Sequence, residues 1–458
     1  MIIALPRVNA KHLLAALLPC FLFLARAFGD PGALLDRDAA IGRIEAATGR
    51  LNALYWSPTL NIWLDQPGDD LRAHYEGRLN PPWWPSANAV EVLLDYMTAT
   101  GTAGYEATIE ALYATQKDQS TRRARVVAEL KRRNQWSEAD EEKWQRRSQR
   151  KADAAGPRSR YYNDFENEYL DDSGWWGITW LKMHDRTGAP KYLTTATTIH
   201  AHMARNWRPD KGGGVLWCED EDKQRPNAIT NSLFLILSAR LHQRTGEQSY
   251  LDWADKTLQW FRTNALYDGT GIIDAPGHQA DHWSYNQGTF IGGLAALYET
   301  TGRKDYLDEA VKVTQGVLQR SGLALPTGVL VEKLGTEGDA CLFKGVFVRY
   351  LAQLRDVLRA QKLHPTALQE IDRCIHSSVG SMLQHSLGAD GLFTAEWHEG
   401  AKDKRSNFNT QVSALAALVA MLPDTKAESP ASAKVPETDL YGKRTRAVTA
   451  AIQNGLLE

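Results

Sequence analysis

Cysteine is scarce, four in 458 residues, and none falls in a CxxC or Cys/His metal spacing, so neither a disulfide framework nor a zinc module is expected. Charge of one sign is missing too: 53 basic residues against 55 acidic leave a net charge of −2. Such a balance removes the field that would draw a protein onto nucleic acid or an acidic membrane surface. Crossing a bilayer takes ~20 consecutive apolar residues. The apolar run Leu13 to Leu24 is too short, and nothing later comes close. There is no Asn-x-Ser/Thr acceptor and no HExxH, GxSxG or P-loop pattern. Zinc proteolysis, serine hydrolysis and nucleotide chemistry therefore have no support. With 43% apolar and 24% charged residues, disorder over the whole length is excluded.

What is abundant is flat aromatic surface, Trp 15, Tyr 16 and Phe 11, which suits sugar rings as well as cores. The start of the chain orders Arg7 and Lys11, the apolar run, then Ala25-Arg26-Ala27. That order of basic, apolar and small-x-small is a secretory signal. Residues 1–27 are thus expected to be removed and the mature protein to be soluble, in the periplasm or outside the cell. Three cysteines remain, Cys218, Cys341 and Cys374, enough for one bridge at most.

Length alone suggests about three domains of ~150 residues, but an internal repeat argues for one. Four segments join a helix ending in Thr-Gly to a second helix that begins near a Tyr: Thr100-Gly101 with Tyr105, Thr187-Gly188 with Tyr192, Thr245-Gly246 with Tyr250, and Thr301-Gly302 with Tyr306. Glycine takes the left-handed position that stops a helix, so each unit is a helical hairpin. Apolar helices are expected over Ser86 to Thr98, Trp175 to Met183, Asn227 to Leu241, Gln287 to Tyr298, Leu342 to Leu354 and Thr410 to Leu422. Amphipathic ones are expected over Ala33 to Tyr55, Lys191 to Arg205, Tyr250 to Phe261, Asp305 to Leu318 and Thr366 to Leu383. Helices apolar all round are buried, and those with one apolar stripe lie outside. With the helix that begins near Tyr105 as the sixth amphipathic one, six of each, alternating, make an all-α fold, an (α/α)6 barrel spanning residues 28–423. Strand signals are limited to Gly271-Ile272-Ile273 and Val329-Leu330-Val331. Residues 116–160 carry fourteen Lys/Arg against seven Asp/Glu and read as a solvated helical insertion or a groove wall. The polar stretch 424–458 is expected to pack weakly.

In such a barrel the polar residues just before each inner helix are candidates for chemistry. Before the second inner helix the chain reads Leu170-Asp171-Asp172-Ser173-Gly174-Trp175-Trp176-Gly177. Glycosidic cleavage needs two carboxyls, one protonated and one ionised. Burial against Trp175 or Trp176 would raise an aspartate's pKa, while the helix dipole would lower it. Helix capping explains either aspartate equally well.

The motif from Asp171 to Gly177, followed by Thr187-Gly188 and Tyr192-Leu193, resembles glycoside hydrolase family 76, the endo-α-1,6-mannanases. Further matching blocks are Gly212 to Trp217, Asn227 to Asn231, Tyr285 to Gly292 and Phe343 to Phe347, in family order, within about Ser57 to Leu422. The resemblance implies an (α/α)6 barrel that hydrolyses internal α-1,6 bonds of an α-mannan with retention, Asp171 as nucleophile and Asp172 as general acid/base. Adjacent Cα atoms lie ~3.8 Å apart, so modestly diverging side chains reach the ~5–5.5 Å that retention requires. The insertion is longer than the family leads one to expect, which bears on groove shape. Transglycosylation, or sugar binding without turnover, are the alternatives. Trp83, Trp84, Trp175, Trp176, Trp217, Trp283, Tyr285 and Trp397 are candidate sugar platforms. Asn227, Asn231, Asn286 and Gln287 are candidates for sugar hydroxyls, with capping the competing explanation. Asn163 and Asp164 are candidates to support the acidic pair. Glu219 to Asp222 lacks a calcium-loop pattern. No metal or cofactor is expected, and a monomer is.

Overall fold

The computed structural model describes residues 37–68, 70–76, 81–153, 164–278 and 281–422. The signal segment 1–27, the stretch 424–458 and Asn163 lie outside the described residues. Helices α1 (Arg37–Tyr55), α4 (Glu106–Gln116), α8 (Pro190–Arg205), α10 (Gln248–Thr263), α12 (Lys304–Arg320) and α14 (Pro365–His385) alternate with α3 (Trp83–Thr100), α7 (Leu170–Thr187), α9 (Ala228–Thr245), α11 (Ser284–Thr301), α13 (Ala340–Gln361) and α15 (Phe408–Ala420). The second set packs side by side in the order α3, α7, α9, α11, α13, α15 and back to α3, a closed ring. The first set lies outside it, giving the (α/α)6 barrel.

Burial follows the apolar pattern. Ring helix α9 is buried without a break from Ala228 to Ala239, whereas outer α12 buries one stripe, Tyr306, Leu307, Ala310, Val311, Thr314 and Val317. The four Thr-Gly turns are built alike. Gly101, Gly188, Gly246 and Gly302 have φ of 73°, 68°, 70° and 71°, and each returns its N–H to the carbonyl four residues back. The threonine has its own part: Thr187, Thr245 and Thr301 donate Oγ1–H to the i−4 carbonyl and accept the amide of residue i+2, closing both sides of the helix end.

The ring closes where glycines let backbones approach. A Cβ on Gly345 of α13 would lie 2.5 Å from Ser413 Cα of α15, and one on Gly288 of α11 would lie 2.8 Å from Phe347 Cα of α13. Backbone cannot yield as a side chain does, so Gly345→Ala is expected to cost about 3 kcal/mol, read as a lowered midpoint in denaturant unfolding. Inside the ring, Glu91 of α3 is held by Lys182 of α7 at 3.2 Å and Arg349 of α13 at 2.7 Å.

Strand content among the described residues is one short antiparallel pair, β1 (Trp56–Ser57) with β2 (Ile62–Trp63). The stretches around Ile272 and Leu330 make single bridges, to Tyr267 and Ala324. Residues 116–160 carry α5 (Gln119–Arg132) and α6 (Glu138–Asp153). Val126 and Leu130 of α5 form a separate small core with Leu60, Ile62, Leu64 and Leu71 of α2 (Leu71–Glu76). Within this insertion Lys131 pairs with Glu141, and Arg132 and Arg133 with Glu129, while Asp140 reaches out to Arg72 of α2 at 2.9 Å.

Candidate active site

All six ring helices point their N-termini at one end of the barrel, where a cleft of about 770 Å³ opens. Its lining takes Trp84 from α3, Asp171, Asp172 and Trp175 from α7, Asn227 before α9, Trp283 and Tyr285 at α11, Asp339 before α13, and Asn407 before α15. Six converging helix dipoles favour negative charge there.

Asp171 and Asp172 occupy the first turn of α7, whose cap is the extended Tyr169 with no side-chain capping bond. Neither aspartate therefore caps the helix. Consecutive helical residues diverge by ~100° around the axis, so the two carboxyls splay across the cleft. Desolvation dominates both. It pushes Asp171 up to about 7, against the amides of Asp171 and Asp172 and the Trp217 indole N–H, which pull it down. Asp172 is raised well above the usual carboxyl range by desolvation and then by the charges of Asp171, Asp339 and Glu168. Asp172 has a donor as well, Asn167 Nδ2 at 2.6 Å, but the charges of Asp171, Asp339 and Glu168 add to its burial, so Asp171 is the one that ionises first. At Asp171, burial outweighs the donors.

The walls are aromatic. Trp84 stacks on Trp175 at 5.8 Å between centroids and gives its indole N–H to Asp339 Oδ1 at 3.2 Å. Tyr285 stacks on Phe343 at 3.7 Å, with Trp283 edge-on to the same ring. Trp217 meets Tyr169 edge-on, with Arg225 over its own ring and Lys223 bonded to the Tyr169 hydroxyl at 2.6 Å.

Several residues singled out from sequence do not reach the cleft. Trp176 is buried, stacked on Trp180 and packed against Phe165; one step along a helix turns it away from Trp175. Trp83 packs in the same nest, although its edge also reaches the cleft lining. Trp397 is buried beneath the Lys344 ammonium. Asp164 is exposed and faces Lys117 at 3.7 Å. Asn231 and Gln287, each the fourth residue of its helix, point back at the preceding loop. Asn231 accepts the Val215 N–H at 2.8 Å and donates to the Val215 carbonyl at 3.0 Å. Gln287 clasps Ile272 the same way, and Gln411, fourth in α15, clasps Phe393. The three carboxamides act as strand partners that hold the cleft loops. Asn231→Ala would strip both partners from a buried Val215 and should cost about 2–4 kcal/mol, measurable by denaturant unfolding, and should loosen Trp217 above Asp171.

Asn227 combines both readings: it lines the cleft and its Oδ1 accepts the Thr230 amide. Asn286 is buried and donates to Asp274 Oδ1 at 3.0 Å, and Asp274 faces the cleft. Sequence reasoning missed Asp274, Asp339, Asn407 and Asn167. The rule of looking just before each ring helix would have found Asp339 and Asn407. Asn167, whose Nδ2 lies 2.6 Å from Asp172 Oδ2, carried no local signal.

An (α/α)6 barrel whose open end joins paired carboxyls to indole walls is the architecture of a carbohydrate-cleaving protein. Residues 134–434 match the sequence profile of Glycosyl hydrolase family 76, and the chain belongs to that family. Mannan endo-1,6-alpha-mannosidase DCW1 of Saccharomyces cerevisiae is 27% identical over 283 residues, 56% of this chain and 61% of the yeast protein; the match thus spans less than two thirds of that relative. The GH76A alpha-1,6-mannanase of Salegentibacter sp. HEL1_6 shares the fold at a TM-score of 0.62 and 22% identity, covering 86% of this chain and 99% of its own. Dfg5 from Chaetomium thermophilum, solved with glucosamine, does so at 0.60 and 18%, covering 87% and 93%. A variant of the Salegentibacter protein with two consecutive aspartates replaced by alanine is described as inactive and was solved with an α-1,6-linked mannotetraose.

Proposed function

We propose that the protein is a secreted glycoside hydrolase that cleaves internal α-1,6-mannosidic bonds with retention of configuration. The observation that carries this is the unequal setting of two adjacent carboxyls in one cleft: Asp171 has the donors that favour its ionised form, and Asp172 has charges around it that favour its neutral form. Asp172 gives its proton to the glycosidic oxygen while the bond from that oxygen to C1 breaks and Asp171 bonds to C1. Water then attacks C1, Asp172 takes the water's proton, and the Asp171 ester bond is released. Trp84, Trp217, Trp283 and Tyr285 offer apolar faces for the sugar rings on either side. The activities for which the yeast and Salegentibacter relatives are named support α-1,6-mannan as substrate. The basic, apolar, small-x-small order of residues 1–27 supports export.

Incubation with unbranched α-1,6-mannan and sizing of the products tests this reading. Oligosaccharides of several lengths appearing early support endo cleavage of this polymer. An unshortened polymer, or activity that survives Asp171→Asn, refutes it.

A further inference from the structure

The short loop between Phe165 and α7 is held by more bonds than its length requires, and they converge on Asn167. Asn167 is 2% exposed. Its N–H donates to Ser173 Oγ at 2.9 Å, its carbonyl faces His202 Nε2 at 3.4 Å, and its Oδ1 accepts the Tyr169 N–H at 3.0 Å. The last contact settles which way the carboxamide points. A backbone N–H is only a donor, so the atom facing Tyr169 is Oδ1 and the atom facing Asp172 is Nδ2. Nδ2 in turn is only a donor, so Asp172 Oδ2, 2.6 Å away, must accept.

The loop's backbone is strained in a way that serves this aim. Asp164 and Phe165 are consecutive left-handed residues, with φ of 52° and 64°, a conformation that a bulky residue adopts only when its surroundings enforce it. Phe165 is enclosed by Trp83, Tyr113, Trp176 and Trp180 at centroid distances of 4.9 to 6.1 Å. The aromatic nest that takes Trp176 from the cleft thus fixes the turn that delivers Asn167.

Resting on the reading of Asp172 as the acid/base, we infer that Asn167 is a positioning residue that confines the transferable proton of Asp172 to Oδ1. Oδ2 is occupied as an acceptor, so the neutral carboxyl carries its proton on the oxygen left for the cleft. During glycosylation that proton passes to the departing glycosidic oxygen, and in the second step Oδ1 receives the proton of the attacking water. Throughout, Oδ2 stays bound to Nδ2. Without the donor, nothing holds the carboxyl in this orientation or keeps its proton on Oδ1, and the neutral acid no longer presents its proton to the leaving oxygen.

Asn167→Asp tests this because it keeps the shape and the Tyr169 contact but puts an oxygen opposite Oδ2. The shared proton is then drawn between the two carboxyls, away from the cleft. Two substrates separate the outcomes: an α-1,6-mannotetraose, whose leaving sugar needs a proton, and 2,4-dinitrophenyl α-1,6-mannobioside, whose leaving phenolate does not. For Asn167→Asp, kcat/KM on the tetraose should fall about 10²-fold, and on the dinitrophenyl substrate less than about threefold. Asp172→Ala is the reference and should show the same selectivity. Should the new acid prevent folding, Asn167→Ala carries the test with the donor deleted. Selective loss in Asp172→Ala with equal loss on both substrates in the Asn167 variants overturns the role of Asn167 and leaves the acid/base standing. No selectivity in Asp172→Ala removes the acid/base assignment, and this inference with it.

Discussion

Asp171→Asn should lower kcat on α-1,6-mannan by about 10⁴-fold or more, and Asp172→Asn by about 10²–10⁴-fold. The amide keeps the shape of either side chain, so what is lost is chemistry. On the proposed mechanism, loss of the Asp171 carboxylate removes the group that forms the covalent intermediate, whereas loss of Asp172 leaves that group and the walls in place. KM should change little, because Trp84, Trp217, Trp283 and Tyr285 are untouched. Steady-state kinetics on both variants checks this. Losses of less than about tenfold in both would show that the pair is not the centre of reaction.

The same Asp171→Asn change should make the protein more stable at pH 8 and leave it unchanged at pH 4. Burial raises the Asp171 carboxyl to about 7 in the folded chain, whereas in the unfolded chain it titrates near ~3.9. The folded state therefore holds the proton more tightly than the unfolded one. The sign follows: this contribution is fully present below the unfolded value and is lost as pH rises through about 7. Each unit of displacement is worth about 1.4 kcal/mol. With solvent in the cleft reducing the effect, Asn, which mimics the neutral acid, should gain about 2 kcal/mol at pH 8 and nothing at pH 4. Denaturant unfolding of both proteins at the two pH values measures it. A gain that is the same at both would show that Asp171 is not desolvated in the folded state. The same ordering gives a bell-shaped kcat/KM profile, with its acid limb set by Asp171 and its alkaline limb, further up, by Asp172.

The fold was legible because its signals are local. Thr-Gly pairs mark helix ends that depend on one glycine, and the contrast between unbroken burial in α9 and a stripe in α12 is written along each helix. The acidic pair was legible for the same reason. Asp274 was not, because closure of the ring brings it to α7 across a long stretch of chain and nothing near it in sequence announces the meeting, whereas Asp339 stands directly before α13, where the rule of looking just before each ring helix points. Asn231 and Gln287 looked like Asn227, since all are amides at helix starts. What separates them is their place in the first turn: the capping position looks into the cleft, and the fourth looks back at the loop. Trp175 and Trp176 differ likewise by one step of helical rotation. Asn167 depends on two left-handed residues held by four aromatic rings, a geometry that no residue spacing records.

The most direct measurement is the anomeric configuration of the first-formed product, followed by proton NMR while unbranched α-1,6-mannan is being cut. A nucleophile on Asp171 with its proton donor next to it requires the α-anomer to appear first and the β-anomer to grow in only by mutarotation. The β-anomer appearing first would mean that water attacks directly, and that neighbouring Asp171 and Asp172 do not divide the work as nucleophile and acid/base.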